Sequence, residues 1–136
     1  MAYLLDTNIC VFILRGKLDI DQISKQKNSK ELFISEVTIF ELRYGAENSN
    51  NPDRSNEAVD IFLRKIIPIP IVNCVNVYAE EKARLRKIGK PMHDDFDLLI
   101  GATAIQKGLI LVTENVKDFE RLENIKIENW MKRKAK

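Results

Sequence analysis

Short apolar runs alternate with segments of helical rhythm along this chain, and that alternation constrains the fold more than any other feature. Tyr3 to Leu5 is an apolar run that ends at Asp6, after which Thr7 or Asn8 offers an N-cap to an apolar helix through Leu14. A polar helical piece follows over Asp19 to Lys27. Leu32 to Ile34 reads as a second strand, stopped by Ser35, which can cap a helix to about Ala46. The polar run Glu47 to Ser55 contains Pro52 and reads as a loop, and Glu57 to Ile66 repeats apolar residues in helical rhythm. Ile67 to Val72 is expected as an edge strand, because Pro68 and Pro70 cannot donate to a ladder. Asn73 can cap a long helix that Gly89 and Pro91 end. Asp97 to Gln106 is an alanine-containing helix closed by Gly108, and Leu109 to Val112 and Ile125 to Ile127 are the last strands.

Parallel strands need a crossover, and helices are the usual crossover. The pattern therefore predicts an α/β fold of three layers, helices on either side of a mostly parallel central sheet of four to five strands. With 136 residues, one domain over residues 1–130 and a basic tail over 131–136 account for the chain. No apolar stretch approaches the roughly 20 residues that span a bilayer, and none resembles a secretory leader, so a cytoplasmic protein is expected. Cys10 and Cys74 sit among apolar neighbours without a Cys or His at metal-ligand spacing, and read as buried free thiols. The net charge of +2 hides two basic stretches, Lys82 to Lys90 and Lys132 to Lys136, which could hold a polyanion but do not by themselves assign one.

In sheets of this kind ligands bind beyond the carboxyl ends of the strands, where connections diverge. Acids and amides gather in those positions: Asp6-Thr7-Asn8 after the first strand, Asp94-Asp95-Phe96-Asp97 before the alanine-containing helix, and Thr113-Glu114-Asn115 after the fourth strand, with Glu41 inside the helix after Ser35. No Lys or Arg adjoins them in sequence. Two unit charges about 4 Å apart repel by roughly 4 kcal/mol at an effective dielectric near 20, so such a cluster calls for a cation or a proton. Hard oxygen donors select Mg²⁺ or Mn²⁺ over zinc. A carboxylate-held ion of that kind suits phosphodiester hydrolysis, which makes nucleic acid the natural substrate.

Each element also has a plainer reading. Asp6-Thr7-Asn8 and Asp94-Asp95 can serve as helix caps, and Thr38-Ile39-Phe40-Glu41 matches a capping box. The lone His93 reads by default as a surface residue. The basic run with Lys82, Arg84, Arg86 and Lys87 can be a solvated helix face in which Glu80 pairs with Arg84. It is the joint placement of the acids that carries weight.

Tyr3-Leu4-Leu5-Asp6-Thr7-Asn8, Glu41-Leu42-Arg43-Tyr44-Gly45-Ala46, Asp97-Leu98-Leu99-Ile100-Gly101-Ala102, Leu111-Val112-Thr113-Glu114-Asn115 and the closing Ile127-Glu128-Asn129-Trp130 together resemble the VapC branch of the PIN-domain family, in order and spacing over nearly the whole chain. The resemblance implies a PIN-like fold, a Mg²⁺- or Mn²⁺-dependent endoribonuclease acting on structured RNA such as tRNA, and the toxin half of a type II toxin-antitoxin pair. Asp6, Glu41 and Asp97 match the family's principal acids, with Asp6 and Asp97 as expected metal ligands and Glu41 helping to hold or activate water. Asp94, Asp95, Thr7, Asn8, Thr113 and Asn115 rank as auxiliary, Asn115 standing where many relatives carry a fourth acid. Arg84, Arg86, Lys87, Lys132 and Arg133 are candidate RNA contacts. The implied partners are a VapB-type antitoxin that covers the acidic pocket, a second copy of the chain in a homodimer, and operator DNA held only through the antitoxin.

Rival readings are a PIN nuclease for RNA processing or branched DNA, a receiver-like phosphoacceptor module and a haloacid-dehalogenase phosphatase. The receiver would want an acidic pair after strand one and an acceptor Asp after strand three, where this chain has Asp6-Thr7 and Asn73. The phosphatase would want an acid at position 8, where Asn8 stands.

Overall fold

The computed structural model describes residues 2–26 and 31–131. Five strands run β1 (Tyr3–Leu5), β2 (Leu32–Ser35), β3 (Ile67–Ile69), β4 (Ile110–Val112) and β5 (Lys126–Glu128). They form one sheet in the order β3-β2-β1-β4-β5, and every pairing is parallel. Helices α1 (Thr7–Leu14), α2 (Ile20–Gln26), α3 (Glu36–Glu47), α4 (Pro52–Leu63), α5 (Val75–Lys87), α6 (Asp95–Lys107) and α7 (Val116–Phe119) fill the connections.

Strand periodicity divides the core in two, because successive side chains point to opposite faces of a sheet. Tyr3, Leu5, Ile34, Ile110 and Val112 face one side and pack with Ile9 and Cys10 of α1, Leu42 and Ala46 of α3, and Val59 and Phe62 of α4. Leu4 and Leu111 face the other and pack with Leu85 of α5, Leu98, Ile100 and Ala104 of α6, and Phe119 at the end of α7. The three-layer arrangement is therefore the one the alternating pattern predicts. Near the end of the chain Trp130 sets its ring edgewise against Tyr3, with centroids 5.3 Å apart. Both cysteines are buried free thiols. Among the described residues no helix is long and apolar enough to cross a membrane.

Several boundaries differ from the sequence reading for local reasons. Asp6, not Thr7 or Asn8, is the N-cap of α1, its carboxylate accepting from the Thr7 backbone N–H. The stretch read as a loop contains the start of α4: the Asn51 side chain accepts from Arg54 N at 3.2 Å, and Pro52 occupies the first turn, where a missing N–H costs nothing. The third strand does lie at the edge but stops at Ile69, since Pro70 leads into a 3₁₀ turn over Ile71–Cys74. That turn runs straight into α5 from Cys74, so Asn73 does not cap it. Asp94 caps α6 two residues earlier than expected, and Gly108 closes it in the left-handed region at φ +66°. The end of the polar helix read to Lys27 lies outside the described residues.

One close approach fixes the short α7 against α6. A Cβ added to Gly101 would clash with the buried Leu122 side chain and come within 3.2 Å of Phe119. Gly101→Ala is expected to destabilise the fold by about 1–3 kcal/mol through overpacking, read in urea as a lower midpoint at unchanged m.

Candidate active site

Strands β1 and β4 are neighbours, yet the chain leaves β1 towards the layer holding α1 and leaves β4 towards the layer holding α7. That divergence opens a crevice at their carboxyl ends. Asp6 and Thr113 are the next residues on the two strands, and both are buried. Asp6 donates its backbone N–H to Val112 O at 2.9 Å, so the carboxylate is held by the sheet itself. Its Oδ1 accepts from Thr7 N at 2.8 Å and its Oδ2 from the Thr113 hydroxyl at 2.7 Å. Burial pushes the Asp6 pKa up, while these two hydrogen bonds oppose the rise.

Glu41 reaches the same crevice from α3. The Thr7 hydroxyl donates to Glu41 Oε1 at 2.6 Å and lies 3.0 Å from the buried Thr38 hydroxyl. Ser35 is the N-cap of α3, so Thr38 and Glu41 are not a capping box. Glu41 is half-buried, and burial, with Asp94 and Asp6 nearby, raises its pKa.

Helix α6 brings in the remaining charge. Asp94 caps it by accepting from Phe96 N at 2.8 Å, and Asp97 stands in the first turn. The Asp97 pKa is pushed up to about 7, first by burial and then by the charges of Asp6, Asp94, Glu41 and Asp118. Asp118, on α7, is the residue that sequence reasoning missed. It accepts from the Asn115 amide at 3.0 Å and lies 3.5 Å from the Arg121 guanidinium. Asn115 thus carries no charge of its own but positions a residue that does. The signal was available in the spacing Asn115 to Asp118, which a one-turn helix folds back on itself. Among the described residues no Lys, Arg or His pairs with Asp6, Glu41, Asp94 or Asp97.

The family model of the PIN domain matches residues 3–125. The chain is 33% identical over 131 residues to the tRNA(fMet)-specific endonuclease VapC of Shigella flexneri, covering 96% of this chain and 98% of the relative. This chain belongs to the PIN-domain family, in its VapC branch. The Ribonuclease VapC2 of Rickettsia felis is 33% identical over 135 residues, covering 97% of this chain and all of the relative. Among solved structures, VapBC2 from Rickettsia felis bound to a promoter DNA fragment superposes with a TM-score of 0.86 at 32% identity, covering 96% of this chain and 99% of that one. DNA-bound VapBC from Salmonella typhimurium gives 0.86 at 31% identity, covering 96% and 98%. The PIN fold excludes the receiver and phosphatase readings.

The other residues singled out in the sequence stand apart from the crevice of this PIN domain or at its margin. Asn8 and Glu114 are exposed. Asp95 turns to Lys82, with which it forms an exposed ion pair at 3.1 Å. Arg84 grips Glu81 through two hydrogen bonds, at 2.7 and 2.8 Å, and not Glu80, and donates to Arg121 O at 2.7 Å. It ties α5 to the segment before β5. Arg86, Lys87 and His93 are exposed, and Lys132 and Arg133 lie outside the described residues.

Among the described residues no three Asp, Glu, His or Cys side chains are placed so that they could hold one ion together. The donor set nevertheless fits Mg²⁺ or Mn²⁺, because Mg²⁺ is usually held by one or two carboxylates and keeps several waters. Burial raises the pKa values of Asp6, Glu41 and Asp97, and the neighbouring acids, Asp94 at all three, raise them further, which marks a place where positive charge is wanting.

Asp97 binds a proton more tightly in the folded chain, at about 7, than at its ordinary value of 3.8. Its contribution to stability is therefore full below pH 4 and is lost as pH rises through 7. Metal-free protein should melt at a lower temperature at pH 8 than at pH 5. Asp97→Asn should flatten that dependence and raise the metal-free Tm at pH 8, the gain in stability being on the order of 1 kcal/mol once solvent screening of a half-exposed group is allowed for. A thermal melt in EDTA at both pH values checks this.

Proposed function

We propose that this chain is a divalent-metal-dependent endoribonuclease that cuts structured RNA, with tRNA as the favoured class, and that it acts as the toxin of a VapBC-type pair. The observation that carries the reading is the set of acids around Asp97 at the β1/β4 divergence, with no cation of the described chain paired to its centre. The tRNA-directed activity named for the Shigella flexneri relative supports the substrate class. The antitoxin-bound, DNA-bound relatives support a VapB-type partner that silences the site and carries the complex to operator DNA. A homodimer working in the cytoplasm completes the proposal.

Asp6 and Asp97 would hold a Mg²⁺ or Mn²⁺ ion, whose part is to offset the charge of the phosphodiester and to lower the pKa of water beside it. The chain's own groups divide the rest of the work. Thr113 and the Thr7 N–H hold both Asp6 oxygens and oppose the burial that would protonate it. Glu41, its pKa raised and its carboxylate oriented by Thr7, is suited to take a proton from an attacking water at neutral pH. Asp94 and Asp118 add negative charge around Asp97 and so favour any bound cation.

The test is cleavage of a total small-RNA pool by purified protein with Mg²⁺, with EDTA, and with Asp97→Asn. Discrete fragments are expected with Mg²⁺ alone, and the variant should lose cleavage by roughly 100-fold or more, the range that one acid-base or charge-stabilising group contributes. Fragments that persist in EDTA would overturn the metal; a pool left intact under every condition would overturn the ribonuclease.

A further inference from the structure

A second feature lies beside the acids. Between the C-terminal end of α5, the segment that precedes α6, and α7 is an open cleft of about 660 Å³. Its apolar lining is the exposed Ile88 with the buried Leu85 behind it, while Lys90, His93, Lys117 and Arg121 stand around it against a single acid, Glu120. Lys90 and Lys117 are exposed, and among the described residues neither forms an ion pair. Neighbouring cations are already committed: Lys82 to Asp95 and Arg84 to Glu81.

Arg121 joins the cleft to the acidic crevice. Its guanidinium donates to Pro91 O at 3.0 Å, on the cleft wall, and lies 3.5 Å from Asp118, whose charge is felt at Asp97. The positive lobe therefore begins one side chain from the negative one.

We propose that this cleft is the subsite for the RNA strand as it leaves the acidic crevice, with Lys90 and Lys117 receiving a backbone phosphate, Arg121 bridging to Asp118 beside them, and the exposed Ile88 taking the adjoining sugar or base. This rests on the ribonuclease reading above. The chemistry requires some such place. A substrate strand carries a negative charge at every phosphate, and only the one being cut can share a cation held by Asp6 and Asp97. Its neighbour, displaced towards α7, would otherwise face Asp118 and Glu120. The basic lobe supplies the backbone-tracking cations of a single-strand groove, with Ile88 standing where such grooves usually carry an aromatic stacking platform.

The experiment uses the full chain carrying Asp97→Asn, so that RNA is bound and not cut, with fluorescein-labelled bulk tRNA in EDTA, titrated by anisotropy at several salt concentrations. Lys90→Ala combined with Lys117→Ala is compared with a charge-matched control pair, Lys17→Ala with Lys65→Ala, in the segments that follow α1 and precede β3. The cleft pair is expected to weaken binding about tenfold or more and to lower the salt slope by roughly 0.7–0.9 for each phosphate that is no longer neutralised; the control pair should leave the slope nearly unchanged. Equal effects from both pairs, or none from the cleft pair while the parent still binds, would overturn the subsite and leave the nuclease standing. A cleft pair that binds RNA normally but releases a co-expressed antitoxin would reassign the cleft to an acidic protein segment. If the wild-type chain cuts no RNA and the parent variant binds none, the ribonuclease reading falls and the subsite with it.

Discussion

The interaction on which the rest depends is the Thr113 hydroxyl donating to the buried Asp6 carboxylate across the β1/β4 pair. A carboxylate that is 3% exposed is costly unless its oxygens are hydrogen-bonded. The parallel register supplies the remedy automatically. Tyr3, Leu4 and Leu5 lie opposite Ile110, Leu111 and Val112, so the next residue of each strand arrives side by side, one an acid and the other a hydroxyl. The chain then diverges to opposite layers and leaves that pair at the head of a crevice. Sheet topology, and not loop shape, sets the position of the first acid.

The other acids reach the crevice on rigid elements that the core holds. Glu41 rides on α3, which is anchored through Leu42 and Ala46 beside it; Asp97 rides on α6, anchored through Leu98 and Ile100. Each acid adjoins a core residue in sequence, so packing energy is what opposes the repulsion among them. Arg43 strengthens the α3 side by bonding Asn56 and Asp60 of α4 at 3.0 and 2.6 Å, although so exposed a pair adds little on its own. Asp118 is placed differently. Its helix has a single turn, and its position depends on Phe119 and Leu122 packing against Gly101.

Most of the fold was legible because strand and helix periodicities differ and because several local signals were unambiguous: Ser35, Gly108 and the edge prolines each did what their chemistry predicts. What the chain alone concealed was dual use. Asp6 is at once a cap and part of the crevice, so a capping rule assigned the cap to its neighbours. Pro52 opens a helix in one context and breaks it in another, and only Asn51 before it decides which. The plain reading of Glu41 as a capping-box member fails because its helix starts three residues earlier, at Ser35, a shift of less than one turn that moves the carboxylate from the backbone to the Thr7 hydroxyl. Asp118 was missed for a related reason: a one-turn helix has no periodicity to place an acid, and only the Asn115-to-Asp118 spacing marked it.

The electrostatics also bear on how such a site could be regulated. Burial first, and then the charges of Asp6, Asp94, Glu41 and Asp118, raise the Asp97 pKa to about 7, and the part due to charge could be met by a proton, a divalent ion or a basic side chain. Any two of these that met the demand at the same acids would exclude one another. An antitoxin that reached the crevice with a lysine or arginine would relieve the repulsion and so stabilise the folded chain while keeping the ion out. Inhibition and stabilisation would then be a single event, because whatever binds the folded state alone raises its stability by mass action. The stability that the cluster withholds from the bare protein would then reappear as binding energy for a cation placed there.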